Sequence, residues 1–107
     1  MRGMSDRPTT AAALDFSSVR NHHEQAVFRA VIETARQFPG VAHRPDLLVD
    51  VACVALNKLP PRYIRHEADY AFFLSDRERA DGELAVSEAV EFAFGFVQAR
   101  TAMRARR

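Results

Sequence analysis

At 107 residues, 48% of them apolar and 27% charged, the chain fits one globular domain with a single modest core. Its one cysteine, Cys53, excludes an intrachain disulfide and a cysteine-cluster zinc site, and no run approaches the roughly 18 apolar residues of a membrane span. The net charge of +1 is an average of unlike segments: +3 from Arg20 to Arg65, −6 from Glu67 to Glu91, and four arginines with no acid in the last ten residues. With no apolar signal core near the N-terminus, the expected location is the cytoplasm.

Residues 1–18 mix Pro, Thr, Ser and Ala without a period and read as a disordered arm, with Phe16 placed to tack its end onto the body. A first helix is predicted from about Asn21, where Asn21 and Glu24 have the spacing of a capping box. Val27, Phe28, Val31, Ile32 and Ala35 make its apolar stripe, and Phe38-Pro39-Gly40 ends it. Pro45 suits the first turn of a second helix, and Asp46 suits the positive end of its dipole. The stretch DLLVDVACVALNKL is apolar nearly all round and is expected to be the central, most buried helix. One polar line crosses it, through Asp46, Asp50, Cys53 and Asn57 at helical spacing. Asn57 is expected to cap the helix in the left-handed conformation, and Pro60 and Pro61 forbid continuation.

Two readings stay open for RYIRHEADYAFFL: short strands at Tyr63-Ile64 and Tyr70–Leu74 around a HEAD turn, or a loop with a helical turn. Ser75 and Glu78 form a second capping box, Gly82 interrupts the helix it opens, and a terminal helix runs from about Glu83 to Ala102. Leu84, Val86, Val90, Ala93, Phe94 and Val97 line its apolar face, with Phe92 and Phe96 off to the side. The expected fold is therefore mainly α: a compact domain of three to four helices over residues 19–102, with a β-hairpin after the LPPRY turn as one alternative, and a basic tail at 103–107.

Few residues carry chemistry. An unpaired carboxylate on an apolar helix is costly, so Asp50 either ties down the double-proline corner, for instance by pairing with Arg62, or forms the floor of a ligand site. Lys58, Arg62 and Arg65 gather around the corner with Tyr63. Arginine forks match phosphates and guanine edges, and an aromatic face can stack a base, although solvated surface charge explains the same residues. His22, His23, His43 and His66 have no ligand spacing for a metal, and Cys53 on a buried helix reads as inert. No nucleophile elbow or phosphate-cradling glycine loop is present, so no enzyme is expected.

The Asn-His-His-Glu helix start, the run LVDVACVALNKLPPRYI and the closing Ala-, Val- and Phe-rich helix resemble the late-competence ComFB-type family over about residues 20–100. That resemblance implies a small bacterial helical homodimer without catalytic activity, a receptor for cyclic dinucleotides, chiefly cyclic di-GMP and secondarily cyclic di-AMP. It further implies relay to a downstream protein, with no cofactor. Some relatives carry a cysteine cluster before this run. Here GVAHRPD has none, so no metal is carried over. The segment HEADYAFFLS also departs from the glycine turn of many relatives. For such a ligand the expected contacts are Asp50, Asn57, Lys58, Arg62, Tyr63 and Arg65. The arginines would take phosphate or a guanine edge, Tyr63 a base face and Asp50 a guanine N–H. The alternatives are a ligand-free dimeric interaction module and, on the slight support of the arginine tail, a nucleic-acid-binding protein.

Overall fold

In the computed structural model residues 14–66, 68, 70 and 74–106 are described. Among them the chain is mainly helical, as predicted, with four helices and one two-stranded ribbon. The expectation of a disordered arm over residues 1–18 falls mostly outside the described residues. Of its end, Asp15 caps a single turn at Phe16–Ser18, and the Phe16 side chain is exposed, not tacked onto the body.

The ribbon comes first and corrects two expectations. Strand β1 (Arg20–Asn21) pairs antiparallel with β2 (Tyr63–Ile64), in the register Arg20 to Ile64 and Asn21 to Tyr63. A strand does form at Tyr63-Ile64, but its partner lies before the first helix. Ala68 and Tyr70 are helical, Leu74 is in neither helix nor strand, and residues 71–73 lie outside the described set. Because β1 claims the Asn21 backbone, helix α1 (Glu24–Thr34) starts three residues later than predicted, with His23 at the cap position and no side-chain cap bond. The Asn21 carboxamide oxygen instead accepts from the His23 N–H at 3.1 Å and from the Arg62 N–H at 3.4 Å. A side chain read as a helix cap is in fact a clasp between the two chain segments.

After α1 a single tight turn (Ala35–Gln37) ends at Phe38, whose φ of −130° and ψ of 72° are not helical, and Pro39 then opens the short helix α2 (Pro39–Ala42). Helix α3 (Pro45–Lys58) has Pro45 in its first turn, as expected. Its exit differs from the prediction. Asn57 is helical and its amide donates to the Cys53 carbonyl at 2.9 Å. The residue that leaves the helix is Leu59, at φ −94° and ψ 139°, the extended conformation that a following proline imposes. Leu59 is also buried, which fixes the exit from the inside.

Helix α4 (Asp76–Ala105) is one unbroken element of 30 residues, about 45 Å long at 1.5 Å per residue. Both halves of the Ser75/Glu78 capping box form, at 3.0 Å each. The predicted break at Gly82 does not occur: glycine costs a helix interior about 1 kcal/mol, too little to stop a helix that is capped upstream and packed downstream.

The core lies where α1 and α3 cross α4. Val27 and Val31 of α1 meet Leu47, Val51 and Ala55 of α3 and Val86, Val90, Ala93, Phe94 and Val97 of α4, with Val41 of α2 closing one end. Phe94 is fully buried and stacks on Phe38, ring centroids 4.7 Å apart. The surroundings of α3 are less enclosed than its composition suggests: Asp46, Val49, Cys53 and Asn57 are all exposed. Phe92 and Phe96 lie to the side of the α4 face that carries Val90, Ala93, Phe94 and Val97 into the core, and remain about half exposed. A Cβ added at Gly95, between them, would meet nothing in this chain.

Candidate functional site

The six residues singled out from the sequence fall on two faces. Asp50, Asn57 and Lys58 lie on the α3–α4 face. Asp50 pairs with Arg100 of α4 at 3.0 Å, not with Arg62, so the corner arginine is not the partner this carboxylate needs. Arg100 also lies over the Phe96 ring at 5.6 Å, Phe96 stacks on Phe92 at 6.2 Å, and the Lys58 ammonium sits 4.2 Å above Phe92. Two stacked aromatics are thus flanked by a cation at each end, in a row that runs from Lys58 to the Arg100–Asp50 pair. Asn57 is spent on its own helix, and Cys53 is exposed rather than buried.

Arg62, Tyr63 and Arg65 lie on the other face, at the ribbon. Here the local fold aims a cation. The Arg62 carbonyl accepts from the His22 N–H, and its own N–H points at the Asn21 oxygen, so the residue after the double proline is held on both sides. Its guanidinium lies 5.6 Å from the centre of the Tyr70 ring. Tyr70 in turn packs on His22 at 4.3 Å, and His22 on His23 at 5.5 Å. Register places Arg20 opposite Ile64, the neighbour of Arg65, so the ribbon carries three arginines. Among the described residues none of the three forms an ion pair. Tyr63 is largely exposed beside them.

Of the residues at this corner His22, His23 and Tyr70 line a half-open cleft of about 380 Å³ between α1 and the first half of α4. Ala26, Ala30 and Val86 give it an apolar floor, while Arg29, Glu33, Arg79 and Glu83 mix charge along its walls. Burial first, then the charge of His22, holds His23 below the ordinary histidine value, with Arg62 adding to the depression. A hydrogen bond to the Pro60 carbonyl works against them. Bonds from the Ser75 backbone and hydroxyl, with Arg62 contributing, hold Glu78 below the usual carboxylate range.

Sequence reasoning did not select Asn21, His22, His23, Tyr70 or Arg100 as site residues. In the sequence the histidines offer themselves only as candidate metal ligands. Among the described residues no three His, Cys, Asp or Glu side chains converge to hold a metal ion.

The family description "late competence development protein ComFB" matches residues 20–101. That span runs from the first residue of β1 into the last turns of α4, and so takes in the whole ribbon and core. The chain belongs to the ComFB family. No curated protein and no solved structure matches it. For this ComFB-family chain no helix among the described residues is long and apolar enough to cross a membrane.

Proposed function

We propose that this ComFB-family protein is a non-enzymatic receptor for a cyclic dinucleotide, cyclic di-GMP ahead of cyclic di-AMP, acting as a homodimer and relaying binding to another protein. The observation that carries this reading is the Arg62 guanidinium, whose backbone is clasped from both sides and which has no carboxylate paired to it among the described residues. Arg20 and Arg65 of the same ribbon extend the basic surface, and Tyr63 and Tyr70 offer ring faces beside it. Phosphodiester oxygens and purine faces are the groups such residues hold. A two-fold symmetric ligand is matched by a two-fold dimer, each subunit presenting one Arg62 corner.

For the dimer the support is the α4 flank. Phe92, Phe96 and the bare backbone at Gly95 face outward together, and Val49 of α3 is also exposed. Phe94 of the same helix is fully buried in the core and is not part of this flank.

Calorimetric titration of the full chain with cyclic di-GMP and cyclic di-AMP tests the proposal. Binding by wild type, weakened about tenfold or more in Arg62→Ala with the fold retained, is expected, since charged hydrogen bonds contribute about 1.5–3 kcal/mol. Equal affinity in a folded Arg62→Ala, Arg65→Ala double variant refutes the site. The exposed Phe92–Phe96 face also favours a second reading, a dimeric interaction module with no small ligand. A dimer in sedimentation that shows no heat with either dinucleotide would select it.

A further inference from the structure

We propose that two copies of this chain pair antiparallel along α4, each seating its Met103 in a groove that the other forms between Ala85 and the Leu59-Pro60 turn. The inference rests on the homodimer reading above and gives that dimer its orientation and register.

Helix α4 carries apolar side chains on two faces. One enters the core through Val86, Val90, Phe94 and Val97. The other holds Ala85, Phe92, Phe96, Ala99 and Met103, which recur at helical spacing. Phe92, Phe96 and Met103 of this second face are 47%, 46% and 67% exposed. A Cβ built at Gly95 would meet nothing within 4 Å, so another backbone can approach closely there. An apolar line of this length on one helix is the seam of a helix pair.

Charge decides the orientation. From Asp76 to Glu91 the helix holds six acids and two arginines, whereas from Val97 to Arg106 it holds three arginines and no acid. A parallel pair would set like charges side by side at both ends. An antiparallel pair sets the acidic head of each helix against the basic end of the other.

Shape decides the register. Phe92 and Phe96 stack on one another, and a two-fold axis through their midpoint lets each meet its counterpart in the partner. Residues equally far before Phe92 and after Phe96 then face each other. Glu88, four residues before, faces the partner's Arg100, four after. Ala85, seven before, faces the partner's Met103, seven after. At Ala85 the chain has a hole: Leu59, Pro60, Ala85 and Ala89, with Lys58 and Glu88, line an open groove of about 260 Å³. Met103 is the unbranched, exposed side chain that fits such a hole. The same helix thus carries a knob at one end and a hole at the other, equidistant from its exposed aromatic pair, as a self-complementary interface requires. Pro60 also opens the double-proline corner that leads to Arg62, so the last turns of each α4 rest at the foot of the partner's corner.

The test uses the full-length chain. Sedimentation equilibrium gives the dimer dissociation constant of wild type and of Met103→Ala, a substitution at an exposed helical position outside the core. The expected loss is about tenfold or more, because two-fold symmetry removes the seated side chain twice. Ile32→Ala, on the exposed surface of α1, should stay within about twofold of wild type. Orientation is read by mild oxidation in a Cys53→Ser background, since Cys53 is itself exposed. A mixture of Ala85→Cys and Met103→Cys chains is expected to form the mixed disulfide. Met103→Cys alone is expected to form none, because its two copies would stand about 27 Å apart along the antiparallel pair. Disulfide formation by Met103→Cys alone, without the mixed product, marks a parallel pair and overturns the proposal. A Met103→Ala dimer of wild-type affinity overturns it as well, and in both cases the homodimer reading stands. A wild type that is monomeric at about 100 μM refutes the homodimer together with its register and leaves the α4 flank to a different protein.

Discussion

Replacing Asn21 with alanine removes one acceptor that serves two backbone donors. The bond from the His23 N–H, at 3.1 Å, is well formed, and the contact from the Arg62 N–H, at 3.4 Å, is at the long edge of useful geometry. An intramolecular hydrogen bond contributes about 1 kcal/mol net, and the longer contact adds at most about half that. Asn21 and His23 are partly exposed and Arg62 is exposed, so water can take the freed donors and the full cost of a buried orphan does not apply. The expected loss is about 1–1.5 kcal/mol, read as a lower urea midpoint by circular dichroism. In melting temperature it corresponds to about 4–8 °C per kcal/mol for a domain of this size. Asn21→Asp keeps the acceptor and should stay within about 0.5 kcal/mol of wild type. Glu24→Ala separates the clasp from a capping box: Glu24 makes no hydrogen bond to Asn21, so only its favourable place near the helix dipole is lost, about 0.3–0.5 kcal/mol. The clasp is refuted if Asn21→Ala unfolds at the wild-type midpoint, or if Asn21→Asp and Glu24→Ala each lose as much as Asn21→Ala.

Phe94→Ala should cost about 3–5 kcal/mol, because it empties a fully buried site and removes the stack on Phe38, and much of the total stability of a small domain goes with it. Denaturation midpoints check this, and a loss below about 1 kcal/mol contradicts the core assignment. Ser75→Ala should cost about 1 kcal/mol and speed amide exchange in the first turn of α4, leaving the turns around Phe94 protected. The pH dependence of stability carries its own sign. His23 is held below the value it has unfolded, so the unfolded chain gains protons first and stability falls as the pH drops through and below the ordinary histidine range. His23→Gln should flatten that part of the urea-midpoint profile, and an unchanged profile would show that another group is responsible.

Elements whose signals are local were legible in the sequence. Pro45 marks the start of α3, and Ser75 with Glu78 marks the start of α4, because each acts on its own first turn. Pro60 likewise dictates the extended exit at Leu59. Asn21 and Glu24 show where such reasoning stops. A carboxamide oxygen three residues before a glutamate serves equally well as a helix cap or as a turn acceptor. Which it becomes depends on Tyr63, 42 positions away by the strand register, which recruits the Asn21 backbone. Asp50 poses the same difficulty. Its helix and its need for a partner follow from sequence, but the partner does not. Arg62 lies only twelve residues along the chain, whereas Arg100, fifty residues on, reaches Asp50 only once α3 has packed on α4. The consequence bears directly on function. Had Asp50 been neutralised by Arg62, the corner would be a closed structural pair with little to offer an anion. With Arg100 in that role, Arg62 is left for another partner, its backbone fixed by Asn21 and His22 and its guanidinium beside Tyr70, a residue that also lines the cleft where His23 sits.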